Sequence, residues 1–369
     1  MERPIFKPVG TPVMELDTPA LVVDLSTLEH NLATLHTFFR QRQVKVRPCV
    51  SAHLCPALAH QQLAAGGTVG GIAVTTLGQA EVFTTHGFSD ILVANRIITP
   101  AKISRLCALA HQARITVAVD NLRNVADLSA AAGQRGVTLQ VAVDIQTSAS
   151  HYGVEPGQTA LELVHTVLQA PHLDFVGLMA SEGPIFINDR TELLAVLRQR
   201  LQPLLDTRGL LEQAGIEVRM VSVGGTTTYD IAATLAGITE VRAGTYALMD
   251  ARYGQYLSTL RPAARVLTAV TSRPEPGTAI TDAGQKAVSI DLGLPTVADV
   301  PGASATGLSA EHCRLHLDGE AENKIDLGQK LWLIPWDMGT CVNLYDSLYA
   351  VRHGVVERVW PVAARGHYR

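Results

Sequence analysis

Val221-Ser222-Val223-Gly224-Gly225-Thr226-Thr227-Thr228-Tyr229-Asp230 runs from a short β-branched strand, through two glycines, into the start of a helix. Seven similar strand-like runs precede it, at residues 21–25, 44–50, 71–75, 91–95, 116–120, 139–145 and 175–180. Between them lie amphipathic helical stretches such as 26–42, 56–65, 77–86 and 100–111. Strand and helix alternating eight times is the pattern of a (β/α)8 TIM-like barrel. A doubly wound open sheet is the alternative. It needs a glycine-rich turn after an early strand, and Asp24-Leu25-Ser26-Thr27 is not one.

The two glycines let the backbone turn sharply and approach a ligand, while the amides that follow and the threonine hydroxyls offer donors to an anion. Barrels often hold a phosphate after the last strand, which favours an anion site at Gly224, Gly225 and Thr226. Arg242-Ala243-Gly244-Thr245 offers a second set of amides. The competing interpretation is a tight turn with a threonine cap.

Past Ala251 the pattern changes. Strand-like segments at 263–271, 287–290, 313–317, 331–335, 348–351 and 355–360 are separated by Gly, Pro and Asp turns, as in a mostly antiparallel β domain. The expected organisation is a barrel over 16–255 and a β domain over 256–369, with residues 1–15 packing on the latter.

Composition narrows the function. Hydrophobic residues make up 47% of the 369, enough for a large core, and no run is long and apolar enough to span a bilayer. A formal net charge of −4 with no lysine-rich block makes nucleic acid and anionic membranes poor partners. Residues 1–8 contain no apolar signal region. Cys49, Cys55, Cys107, Cys313 and Cys341 are scattered and odd in number, which argues against a disulfide framework and for a cytoplasmic setting.

Several segments together resemble the D-threonine aldolase and D-serine dehydratase group, fold-type III pyridoxal phosphate (PLP) enzymes on an alanine racemase-like barrel. They are Leu16-Asp17-Thr18-Pro19-Ala20-Leu21-Val22-Val23-Asp24, Leu77-Gly78-Gln79-Ala80-Glu81-Val82 (the group's "VGEAEV" helix), and Asp90-Ile91-Leu92-Val93-Ala94-Asn95 followed by Pro100-Ala101-Lys102-Ile103. The glycine loop through Asp230 and Glu240-Val241-Arg242-Ala243-Gly244-Thr245-Tyr246 resemble its phosphate cradle and adjoining strand. Asp282-Ala283-Gly284-Gln285-Lys286-Ala287-Val288-Ser289 and Val342-Asn343-Leu344-Tyr345-Asp346 extend the likeness to the end of the chain. The resemblance implies a homodimer with its active site at the barrel mouth, completed by the β domain.

The chain departs from the group where the cofactor chemistry sits. The group's "RPHVKTHK", whose first lysine forms the Schiff base, reads Arg47-Pro48-Cys49-Val50-Ser51-Ala52-His53-Leu54. Strand alternation puts Lys45, Arg47, Cys49 and Ser51 on one face, with Ser51 at the catalytic end and Lys45 about 20 Å away at ~3.3 Å per residue. The other lysines, Lys7, Lys102, Lys286, Lys324 and Lys330, are no evident substitutes. "GMxRCGV" has become Gln146-Thr147-Ser148-Ala149-Ser150-His151-Tyr152-Gly153-Val154, and "QxYxGH" reads Met179-Ala180-Ser181-Glu182-Gly183-Pro184. The aldolase metal motif "HxD" reads Asp337-Met338-Gly339.

Without an imine another electron sink is needed, and a divalent metal (Mg²⁺, Mn²⁺ or Zn²⁺) can serve as Lewis acid. Asp337 occupies an aldolase ligand position. Ser51, His53, Glu182 and His151 are the candidate catalytic side chains, with Asp144 and Cys49 as further possible ligands. Arg47 pairs with an acidic substrate or with a buried carboxylate. Three functions follow: a metal-assisted lyase on a small hydroxy acid bearing a carboxylate or phosphate, a non-catalytic binder of PLP or another phosphorylated molecule, and an enzyme using PLP noncovalently. The first is favoured, because the replacements are acidic and imidazole groups rather than apolar filler.

Overall fold

The computed structural model describes residues 9–147 and 152–369. They fall into two compact units: one of Met1–Thr34, Ala52–Ala57 and Thr245–Arg365, the other of Leu35–Ser51, Leu58–Gly244 and Gly366–Arg369.

The second unit is the barrel. Its eight parallel strands are β2 (Lys45–Val46), β3 (Ile72–Val74), β4 (Asp90–Arg96), β5 (Arg114–Val119), β6 (Leu139–Asp144), β7 (Leu173–Met179), β8 (Met220–Val223) and β9 (Glu240–Val241). They run in the order β2-β9-β8-β7-β6-β5-β4-β3. The two edges are joined by parallel bridges Val46–Thr68 and Cys49–Ala73, which excludes the doubly wound alternative. Strands covered on both faces read as continuous apolar runs, as β3 does with all three residues buried. Inside, Ala73, Leu92, Ala118, Ala142, Val176, Met179 and Met220 form one cluster, with Cys49 packed against it. Local signals set the outer helices. Leu122–Arg135 starts at Asn121, whose side chain accepts the Asn124 N–H, and stops at Gly136 with φ +63°.

The other unit is a nine-stranded, mostly antiparallel sheet. It comprises β1 (Ala20–Asp24), β10 (Ala264–Ser272), β11 (Thr278–Thr281), β12 (Thr296–Ala298), β13 (Ala303–Leu308), β14 (Cys313–Leu317), β15 (Lys330–Ile334), β16 (Ser347–Arg352) and β17 (Val355–Pro361). The strand expected to open the barrel is therefore in this sheet: β1 lies antiparallel to β10, with Leu21 opposite Val266, and parallel to β16. The eighth barrel strand is instead the two-residue β9, paired with β2 and β8. Alternating burial along β14 marks a sheet with one face outward. No described helix is long and apolar enough to cross a membrane.

Candidate active site

Barrel chemistry is expected where the strands end, and four charged residues of this unit stand there. Arg96 closes β4, Asp120 follows β5, Asp144 closes β6, and Arg242 follows β9. The Arg96 guanidinium donates to Asp144 Oδ2 at 2.6 Å and pairs with Asp120 at 3.4 Å, while its Cζ lies 4.4 Å from the centre of the Tyr152 ring. Asp144 is 2% exposed. Desolvation pushes its carboxyl up to about 6, against the pull of Arg242 and Arg96. Arg242 is half-buried and donates to Ser222 O and Oγ (both 2.8 Å) and to Ala180 O (2.7 Å). Among the described residues it forms no ion pair.

Ser51 lies beyond β2, in the short 3-10 turn Val50–Ala52, and is half-buried. Its Oγ donates to Gln79 Oε1 at 2.6 Å and accepts from the Thr75 N–H at 3.0 Å. Burial raises the Cys49 thiol, while Arg242 and Ser51 act in the opposite direction. Lys45, in β2, spends its amine on the carbonyls of Phe39 and Arg42.

Arg47 spends its guanidinium on buried carboxylates of the protein itself, the second of the two partners expected for it. It is 7% exposed and makes a bidentate bond to Glu240 (Nε–Oε1 2.8 Å, Nη2–Oε2 3.0 Å) while donating to Asp90 Oδ1 at 2.9 Å. Ser222 Oγ also donates to Glu240, at 2.6 Å, and Arg114 bonds Asp90. Gly71 admits this cluster, since a Cβ there would lie 2.5 Å from Asp90 Cγ.

The glycine loop also differs from expectation. Glu182, fully buried, places its carboxylate against the loop: Oε2 accepts the Gly224 N–H at 3.0 Å and Oε1 accepts the Thr228 hydroxyl at 2.9 Å. Glu182 is thus a loop partner, not a metal ligand or a base open to substrate. Gly224 is needed for strand packing, because a Cβ would lie 2.6 Å from Arg242 O. Thr226 is buried, and Gly225 would bring a Cβ within 3.7 Å of Glu182 Oε1. Gly244 is buried after Ala243, whose carbonyl accepts the Cys49 N–H at 2.9 Å.

In the other unit Asp337 caps the helix Met338–Val342: its Oδ1 accepts the Thr340 N–H at 2.8 Å and the Thr340 hydroxyl at 2.9 Å. Asp250 accepts the N–H groups of Tyr253 (2.7 Å) and Met338 (3.3 Å). Burial first, with the nearby Asp337 charge adding to it, pushes Asp250 up to about 6. Thr245 hydrogen-bonds Tyr253, whose hydroxyl burial raises to about 12. His53 is fully buried and its Nδ1 accepts the Cys55 N–H at 3.2 Å, which leaves a neutral ring's proton on Nε2. It is held in a local turn rather than presented as a catalyst. His151 lies outside the described residues. Among the described residues no group of three His, Cys, Asp or Glu side chains converges as a metal centre would.

The sequence reading passed over Arg96 and Asp120. The available signal was a charged residue closing or following a buried apolar strand on its C-terminal side.

A closed parallel barrel with ionisable groups at its strand ends, in a chain that also carries a mostly antiparallel sheet, defines an alanine racemase-like protein of fold type III. The chain belongs to the family described as "alanine racemase, N-terminal domain", which matches residues 23–252, and a putative serine dehydratase domain matches 263–351. It is 34% identical to a D-threonine aldolase of Arthrobacter sp. over 98% of this chain and 96% of that one. The crystal structure of D-threonine aldolase from Filomicrobium marinum superposes with a TM-score of 0.93 at 34% identity, covering 98% of this chain and 99% of that one. A D-threo-3-hydroxyaspartate dehydratase mutant, solved in a metal-free form, gives 0.85 at 27% identity over 95% and 98%.

Proposed function

We propose that this chain is an aldolase-like lyase for a small β-hydroxy amino acid, working at the barrel mouth without a Schiff base to an enzyme lysine. Kinship over nearly the whole length with a D-threonine aldolase supports the reaction class. The observation that carries the reading is Asp144, a buried carboxylate with its pKa near 6, set against the guanidiniums of Arg96 and Arg242. Three hydrogen bonds leave Arg242 two of its five N–H donors, which suit a substrate carboxylate. Ionised Asp144 accepts the proton of the substrate hydroxyl as the Cα–Cβ bond breaks and an aldehyde leaves. The bond's electron pair passes into the substrate's own carboxylate, which Arg242 holds, and Asp144 then returns the proton to Cα to release the smaller amino acid. The homodimer implied by the resemblance belongs to the same proposal, and sedimentation checks it.

Covalent PLP does not fit these residues, since Ser51 presents a hydroxyl engaged with Gln79 and Thr75. No step passes through it. A divalent cation fits in a restricted way. The neighbouring carboxylates Asp337 and Asp250, with no imidazole joining them among the described residues, suit a water-rich Mg²⁺ or Mn²⁺ rather than a caged Zn²⁺. When bound by these carboxylates, such an ion would supply Lewis acidity.

Aldehyde release from D-threonine, or ammonia release from D-threo-3-hydroxyaspartate, tests the reading. Turnover with Mg²⁺ or Mn²⁺ and no added PLP is expected; turnover only after PLP is added would sink it. Arg242→Lys keeps the charge and loses the planar fork. It is expected to raise KM roughly ten- to hundredfold, in line with the ~1.5–3 kcal/mol of a hydrogen bond to a charged group. Asp337→Asn should keep the helix cap, and so the melting temperature, while Mn²⁺ no longer survives dialysis. Asp337→Ala should lose both, the cap being worth about 1 kcal/mol. Unaltered Mn²⁺ content in both variants would remove Asp337 from the proposal.

A further inference from the structure

We propose that Glu182 is a built-in occupant of the glycine loop, so that the chain takes up no phosphorylated cofactor or ligand there, covalently or otherwise. Backbone N–H and hydroxyl donors converge on this turn as an anion site requires. In this chain the anion is already present. Glu182 is fully buried, and its two carboxylate oxygens are divided between the Gly224 N–H at 3.0 Å and the Thr228 hydroxyl at 2.9 Å.

Its backbone is held as well. Arg200 donates to Glu182 O at 2.7 Å, and the Thr147 hydroxyl donates to the neighbouring Ser181 O at 2.7 Å. These bonds fix the backbone from which the side chain reaches the loop after β8. A buried carboxylate needs hydrogen bonds, and among the described residues Glu182 has no ion-pair partner. The loop donors are what make its burial tolerable. A phosphate placed at the same donors would either displace a carboxylate with no other partner or lie beside it as a second buried negative charge. Both are unfavourable.

The glycines do not argue otherwise. Gly224 is accounted for by the close approach of Arg242, while a Cβ at Gly225 would press only on the Thr228 hydroxyl, at 3.3 Å. The inference concerns binding rather than turnover, and stands or falls separately from the proposed lyase activity.

The test is calorimetric titration of the full chain with inorganic phosphate and with pyridoxamine 5′-phosphate, which carries ring and phosphate but forms no imine with surface lysines. The wild-type chain is expected to show no saturable binding of either. Glu182→Ala frees both donors and should gain phosphate affinity by about tenfold or more, the factor carried by roughly one charge-assisted hydrogen bond. Saturable binding of pyridoxamine 5′-phosphate to the wild-type chain would overturn the proposal, and this arm needs no variant to fold. A folded Glu182→Ala chain that gains no phosphate affinity would overturn it too. Glu182→Gln, similar in size but uncharged, serves where the alanine variant does not fold. It removes the competing charge but keeps one acceptor on the loop, so a smaller gain in phosphate binding is expected, and no gain would overturn the proposal.

Discussion

Replacing Arg47 with alanine is expected to destabilise the protein by about 3–5 kcal/mol, the cost of removing one partner from a buried ion cluster. Glu240 and Asp90 would both lose their main counterion: among the described residues Glu240 keeps the Ser222 hydroxyl, and Asp90 keeps Arg114. Burial works against the Arg47 charge, but the two carboxylates outweigh it and raise its pKa, so the guanidinium stays ionised across the accessible range. For a unit of this size the loss corresponds to a fall of roughly 6 to 20 °C in melting temperature, measurable by differential scanning calorimetry. Combining Arg47→Met with Glu240→Leu should recover much of the loss, because the cost comes from an orphaned charge rather than from the missing pair. A melting temperature that stays put while ligand binding disappears would reverse the assignment and return Arg47 to the ligand.

Arg47 also shows how far the sequence could be read. Alternation along 45–51 assumes one continuous strand, but strand pairing covers only Lys45–Val46 and Val50–Ala52 is a 3-10 turn, so strand period does not carry Ser51 onto the face of Lys45. Which carboxylate would meet Arg47 was not local: Glu240 lies 193 residues away, and only closure of the barrel brings β2 beside β9. The same limit explains the first strand. Residues 21–25 look like any buried strand, and nothing in them says that their hydrogen bonds go to Val266 and Leu267 rather than to the barrel. The two-residue β9 is too short for periodicity to register.

At the site, the serine at residue 51, where the resembled group's motif has a lysine, could be read from the sequence alone. The role of Glu182 was not, since it depends on a carboxylate reaching a loop 42 residues on. Asp337 had a readable local signal that the metal motif obscured: an aspartate three residues before Thr340, just ahead of a short helix, is an N-cap pattern.

Asp144→Asn is expected to separate activity from stability. In the folded chain burial raises the Asp144 pKa from 3.8 to about 6, so the folded form holds this proton more tightly than the unfolded one. The stability this group contributes is therefore full below about 3.8 and is lost as pH rises through about 6. At about 1.4 kcal/mol per pKa unit the whole span is of order 3 kcal/mol. An asparagine resembles the protonated acid, and its carbonyl can still accept from Arg96. The variant should match the wild type in melting temperature near pH 4 and equal or exceed it near pH 8. Activity should move the opposite way. If the ionised carboxylate takes the substrate proton, wild-type kcat/KM rises with pH through about 6 and levels off above it. Asp144→Asn should lower kcat by roughly 10²–10⁴-fold and flatten that limb. A variant that loses stability at pH 8 along with its activity would make Asp144 a structural partner of Arg96. Only loss of turnover in a chain at least as stable as the wild type identifies it as the base.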